Sequence, residues 1–141
     1  MKLFYGSLAL TIAGNVLYHL SQKSIPAGVH PIVSMVASYL TTIVLSALIL
    51  IAFPLNDSLL SEVKRLNWAT IALGLSIVAV ELGFLLAYRA GWRVSLASIT
   101  SNTTVALVLL PTGVLLFRER VTPANAIGLA FCVIGLVLVT R

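Results

Sequence analysis

The chain has 141 residues, 60% of them hydrophobic and only 9% charged, with a formal net charge of +5 and a mean hydropathy of +1.09. A soluble domain carries about 25% charged residues, so nine basic and four acidic side chains cannot keep such a surface wet, and lipid is the expected solvent. The basic excess does not point to nucleic acid, because Lys and Arg stand singly or in pairs at the ends of apolar runs, as interface anchors and topology signals do.

The first apolar run covers residues 3–20. It is longer than a signal-peptide core and no small-x-small cleavage site follows, so it reads as the first of five transmembrane helices. It carries a polar stripe of Ser7, Thr11, Asn15, Tyr18 with His19, and Gln22, at steps of three or four that share one helix face. Ser7 and Thr11 read as glue between helices. Asn15, Tyr18 and His19 are candidates to line a cavity, although contact with water at the helix end would also account for His19. The second span, 32–53, opens at His30-Pro31 and has Ser34, Ser38, Thr42 and Ser46 at steps of four, a pattern for helix packing. In the connection that follows, Leu55, Leu59, Val63 and Leu66 keep helical spacing with Asp57, Glu62, Lys64 and Arg65 elsewhere. This predicts a short interfacial helix over 55–66.

The third span, 68–88, is bounded by Trp68 and Tyr88, with Trp92 just beyond, where amphipathic rings prefer to sit. Glu81 lies deep inside it. An acidic side chain at that depth costs about 3 kcal/mol on insertion scales and is too short to reach the headgroups. Glu81 is therefore expected to face a cavity or the bundle interior. Two roles stay open: a group exchanging a proton for a substrate cation, or an ion pair or hydrogen bond joining two helices. The fourth span, 94–117, begins with Ser95, Ser98, Thr100, Ser101, Asn102, Thr103 and Thr104. Ser98 and Asn102, four apart, would present polar groups to one place. Further along, Pro111 removes a backbone hydrogen bond and is expected to supply a gating kink. The fifth span, 124–140, opens at Thr122-Pro123 with a hydroxyl cap before a first-turn proline. Its Gly128, Cys132 and Gly135 form a small-residue stripe suited to helix packing or dimerisation, with Cys132 expected as a buried small residue rather than a nucleophile.

Metal-ligand spacing, a G-x-S-x-G elbow and a phosphate-binding glycine loop are all missing. No enzyme, metal site or cofactor is expected. With five spans, the side of the N-terminus holds Lys2, Lys64, Arg65, Arg118 and Arg120, and the other side holds Lys23, Arg89, Arg93 and Arg141. The imbalance that normally sets orientation is nearly zero. Either one or two strategic charges decide, or the chain inserts both ways and two copies pair head to tail.

The run Phe117-Arg118-Glu119-Arg120-Val121-Thr122, followed by Gly128 and Gly135 within residues 126–136, resembles the EamA-type unit of the drug/metabolite transporter superfamily. Ala87-Tyr88-Arg89-Ala90-Gly91 and Ser95-Leu96-Ala97 are similar to the same pattern; Gly14-Asn15, Lys23 and the Pro31 helix start fit it more weakly. The resemblance covers the whole chain in order and length. It implies an all-α integral membrane protein, one five-helix unit that pairs with a second as an inverted-repeat ten-helix bundle around a central cavity. The second unit would be another copy, in an antiparallel homodimer, or a paralogue in a heterodimer. Glu119 matches the family's acidic residue at the membrane edge, a cap or an ion pair with Arg118 or Arg120. Two departures stand out: the usual proline early in the fourth helix is missing, and Glu81 is not a general family feature. Gating and substrate class therefore do not transfer. The expected function is a proton-coupled secondary transporter of small organic solutes in a bacterial inner (plasma) membrane. The rivals are a lipid-linked-sugar flippase subunit acting with a partner chain and a non-transporting membrane scaffold.

Overall fold

A computed structural model describes residues 2–118 and 122–140; Glu119, Arg120 and Arg141, which enter the charge balance and the resemblance, lie outside the described residues. Among these, the elements are α1 (Lys2–Ser24), α2 (Pro31–Ala52), α3 (Leu59–Lys64), α4 (Trp68–Arg89), α5 (Val94–Phe117) and α6 (Pro123–Thr140). All are helices. Five of them, α3 excepted, are long and apolar enough to cross a membrane. No more than 11% of the most apolar stretch of any of these helices is buried. Large apolar side chains such as Leu3, Ile51, Leu73 and Leu115 are instead exposed, the surface of an integral membrane protein rather than of a soluble bundle.

The helix starts follow local chemistry. Pro31 and Pro123 occupy first-turn positions where a missing N–H costs nothing. The Thr122 hydroxyl accepts from the Asn125 N–H at 3.2 Å, the Asn67 carbonyl oxygen accepts from the Ala69 N–H at 3.0 Å, and the Ser58 hydroxyl accepts from the Ser61 N–H at 3.3 Å. The first helix differs from expectation by running on to Ser24. Ser21, Gln22, Lys23 and Ser24 end the hydropathic run but contain nothing that breaks a helix, and Pro26 comes only after the last turn. The interfacial segment is shorter than expected: only 59–64 is helical, and none of it is buried. Its Arg65 pairs with Asp57 at 3.0 Å and Glu62 at 2.7 Å. α5 continues through Pro111 and stops where Arg118 takes a left-handed conformation (φ 54°, ψ 34°), its N–H bonded to the Gly113 carbonyl.

The chain folds as two units, residues 1–19 with 91–141, and residues 20–90. In the first, α5 packs on α6; Ala97 and Gly113 are the buried positions of α5, and α6 has none. In the second, α2 packs on α4, and the packing is confined to one end. Met35 is buried and Tyr39 half-buried on α2, and beyond Tyr39 every residue of α2 is exposed. On α4 the buried residues are Glu81, Leu85 and Tyr88, at steps of four and three along one face, whereas residues 73–80 are all exposed.

Candidate functional site

The second unit holds the candidate site at the inner limit of the α2–α4 contact. Glu81 retains 8% of its exposure and lies about 4 Å along the axis from the centre of α4, at 1.5 Å per residue. Leu85, one turn on, is 1% exposed. A carboxylate brought to this depth has lost most of its water and needs partners. Among the described residues the ion pairs are those of Arg65, so Glu81 has no cationic partner. Its neighbour on α2 is Tyr39, whose hydroxyl is within electrostatic reach of the carboxylate yet buried without a completed hydrogen bond. Gln22, 4% exposed at the end of α1, donates from Nε2 to the Glu81 backbone carbonyl at 3.5 Å. The amide holds the helix backbone and leaves the carboxyl to face the phenol. A carboxyl beside a buried, unsatisfied hydroxyl can take up or release a proton, or accept a cationic or hydrogen-bonding group of a solute, without first breaking an ion pair.

Toward the headgroup end of the same unit, Lys23 Nζ donates to the Tyr88 carbonyl at 3.2 Å and stands 5.8 Å from the Tyr88 ring centroid. Arg89 Nη2 donates to the Val29 carbonyl. These two bonds tie the end of α1, the turn before α2 and the end of α4 together. Phe84 stacks on Tyr88 at 5.9 Å.

The other candidates belong to the first unit. Tyr18 and His19 meet edge to face at 5.2 Å, with His19 buried and Tyr18 half-buried. Asn15 is exposed. Asn102 Nδ2 donates to Ser98 Oγ at 3.4 Å, which confirms that they share a face; Ser98 is half-buried and Asn102 exposed. Thr100, two residues from Ser98, has a buried hydroxyl lacking a partner. In the small-residue stripe Cys132 is exposed, and a Cβ placed on Gly128 or Gly135 would meet nothing within 4 Å; among the described residues α6 packs on α5, and the stripe's role in packing or dimerisation stays an expectation. The hydroxyl stripes bond within their own helices, with Ser34 and Ser38 half-buried on α2. Ser7, Thr11, Ser34 and Thr42 donate to Phe4, Ser7, Pro31 and Ser38 carbonyls of their own or the preceding turn, at 2.8–3.0 Å, so these donors are satisfied locally.

Tyr39, Lys23 and Arg89 were outside the site inferred from sequence, and Gln22 appeared only as the end of a stripe. Tyr39 follows Ser38 directly, and reading the α2 face through the hydroxyls instead of through Met35 and Tyr39 hid it. Comparison of the chain with family models, with curated proteins and with solved structures finds no match.

Proposed function

We propose that this chain is one half of a secondary transporter for small organic solutes, a drug/metabolite-type unit that works with a second unit in inverted orientation. Alternating access takes place near the midplane, and Glu81 carries the proton or receives a cationic group of the solute. The observation that carries this reading is a carboxyl buried at mid-span with no cationic partner among the described residues and a phenol beside it. Ionisable groups at that depth are costly and rare, and they mark substrate and proton pathways. A second observation supports the pairing. Beyond Tyr39 and before Glu81 the apolar faces of α2 and α4 are uncovered within their unit, as are Gly128 and Gly135 on α6. A second unit, identical or paralogous, would cover such faces.

Proteoliposomes loaded with ethidium and given a pH gradient test the reading. Glu81→Gln should abolish gradient-driven ethidium movement and the coupled proton flux, while expression and dimerisation stay at the level of the unsubstituted protein. Undiminished flux in Glu81→Gln, with the same dimer, would leave Glu81 a helix tie; no gradient-driven flux from the unsubstituted protein would leave the chain a membrane scaffold.

A further inference from the structure

Glu81 stands about 12 Å inside the last residue of α4, at 1.5 Å per residue. A proton or solute bound for it has to come from a membrane surface. Between the two, the second unit contains a cavity of about 230 Å³ lined by Gln22, Lys23, Ile25, Ala27, Tyr88 and Arg89. α1 and α4 both end at this cavity, and the chain over residues 25–30 is not helical. Non-helical backbone at membrane depth is tolerated where it is buried in protein or lines water. The wall carries an amide, an ammonium and a guanidinium, and the space has room for several waters at about 30 Å³ each. Lys23 and Arg89 are held by the Tyr88 and Val29 carbonyls and frame the opening. At the inner end, the Gln22 Nε2 also reaches the site and donates to the Glu81 carbonyl at 3.5 Å, a long bond for an N–H donor. Two further groups mark the ends of the same stretch. The Arg89 Nε–H beside the opening and the Tyr39 hydroxyl beside the carboxyl are both buried without a completed hydrogen bond. Buried polar groups nearly always find a protein partner or water, and water passing Gln22 would serve both.

We propose that this cavity is the aqueous entrance to Glu81 from the membrane face at which α1 and α4 end, and that the Gln22 side chain closes it. The entrance rests on the transporter reading, in which Glu81 is the working group. Held on the Glu81 carbonyl, the amide blocks the inner end. Turned into the cavity about its own side-chain bonds, it opens a file of water from Arg89 to the carboxyl and the Tyr39 phenol. A side-chain rotation is enough, because the bond released is long and the polar wall offers the amide new partners. In an inverted pair the entrance of the second unit opens on the opposite face, so each unit gates one side of an alternating-access path.

The test is labelling of the full chain, in opened membrane vesicles, by a water-soluble carbodiimide with glycine methyl ester as the trapping amine. Peptide mass spectrometry reads the modification of each carboxyl. Glu81 of the unsubstituted protein should be modified at a measurable rate. Gln22→Ala should raise that rate about fivefold, the shift that losing one ordinary hydrogen bond produces. Ala27→Trp, at an exposed turn position on the cavity wall, fills the cavity and should lower the rate several-fold. Glu62 on α3, outside the cavity, should be modified equally in all three chains. Ala27→Trp leaves the Gln22 bond intact, so it keeps the test open if Gln22→Ala fails to fold. Absence of Glu81 modification from every chain, or one rate in all of them, overturns the proposal. Labelling requires no flux, which separates the two readings. Glu81 labelled through the cavity in a chain that moves no ethidium would remove the transporter and leave the water path. Ethidium flux with Glu81 never labelled would keep the transporter and remove the entrance.

Discussion

At the residue scale, the balance between Glu81 and Tyr39 separates a functional group from a structural one. A buried ion or polar group whose partners are fully matched becomes strongly destabilising when one partner is removed, by about 3–5 kcal/mol. A buried polar group with no good partner behaves in the opposite way: an apolar replacement of similar shape is neutral or stabilising. Glu81 has no ionic partner among the described residues, and the Tyr39 hydroxyl has no completed hydrogen bond. Tyr39→Phe should therefore change thermal stability in detergent by less than about 1 kcal/mol. Glu81→Leu should raise it while removing gradient-driven transport, since function is often held at a cost in stability. A drop in melting temperature for both variants would mean that the carboxyl and the phenol serve as a helix clasp.

At the element scale, hydropathy and proline placement were enough to position all five long helices, because a run of about 20 apolar residues has few alternatives to a helix in lipid. The α6 start was also legible, with Thr122 capping and Pro123 in the first turn. Boundaries governed by other physics were less so. α1 extends past its apolar run because polar residues do not unwind a helix, and α5 ends on a left-handed Arg118 where the sequence offers no glycine signal. Facing was the least legible property. A hydroxyl stripe and a packing stripe look alike in sequence, yet the Ser34 and Thr42 hydroxyls bond back to carbonyls one turn earlier, and Met35 is the fully buried position of α2. Of the candidate site, the depth of Glu81 was legible. Its neighbours Tyr39 and Gln22 were not, since they arrive from other helices and only tertiary packing selects them. The caps and the stripes make opposite predictions. Asn67→Ala and Thr122→Ala should each cost about 1 kcal/mol in thermal unfolding followed by circular dichroism. Ser7→Ala and Thr42→Ala should cost almost nothing, because the carbonyls they touch already serve the helix ladder. Equal costs for the two sets would show that the hydroxyls hold helices together.

For the whole molecule, the proposed inverted pairing makes orientation the decisive property. Short loops set orientation through their Lys and Arg, with acidic residues contributing little, and this chain places five basic residues on the N-terminal side and four on the other. Such a difference is small enough for a pair of substitutions to reverse. Lys64 and Arg65 are suited to this because they sit at the end of the short α3, and the Arg65 pairs with Asp57 and Glu62 are exposed, where such pairs contribute less than about 1 kcal/mol. Lys64→Gln with Arg65→Gln leaves three basic residues against four without disturbing the helices. A C-terminal reporter read on both membrane faces should give comparable signals for the unsubstituted chain and a one-sided signal for the double variant. If two orientations are needed in one complex, the double variant expressed alone should also lose ethidium transport. Co-expression with a chain biased the other way, through Arg89→Gln and Arg93→Gln, should restore it. A unit that inserts one way only would give a one-sided reporter from the start and keep its activity in the double variant, leaving a parallel assembly or a paralogous partner as the architecture.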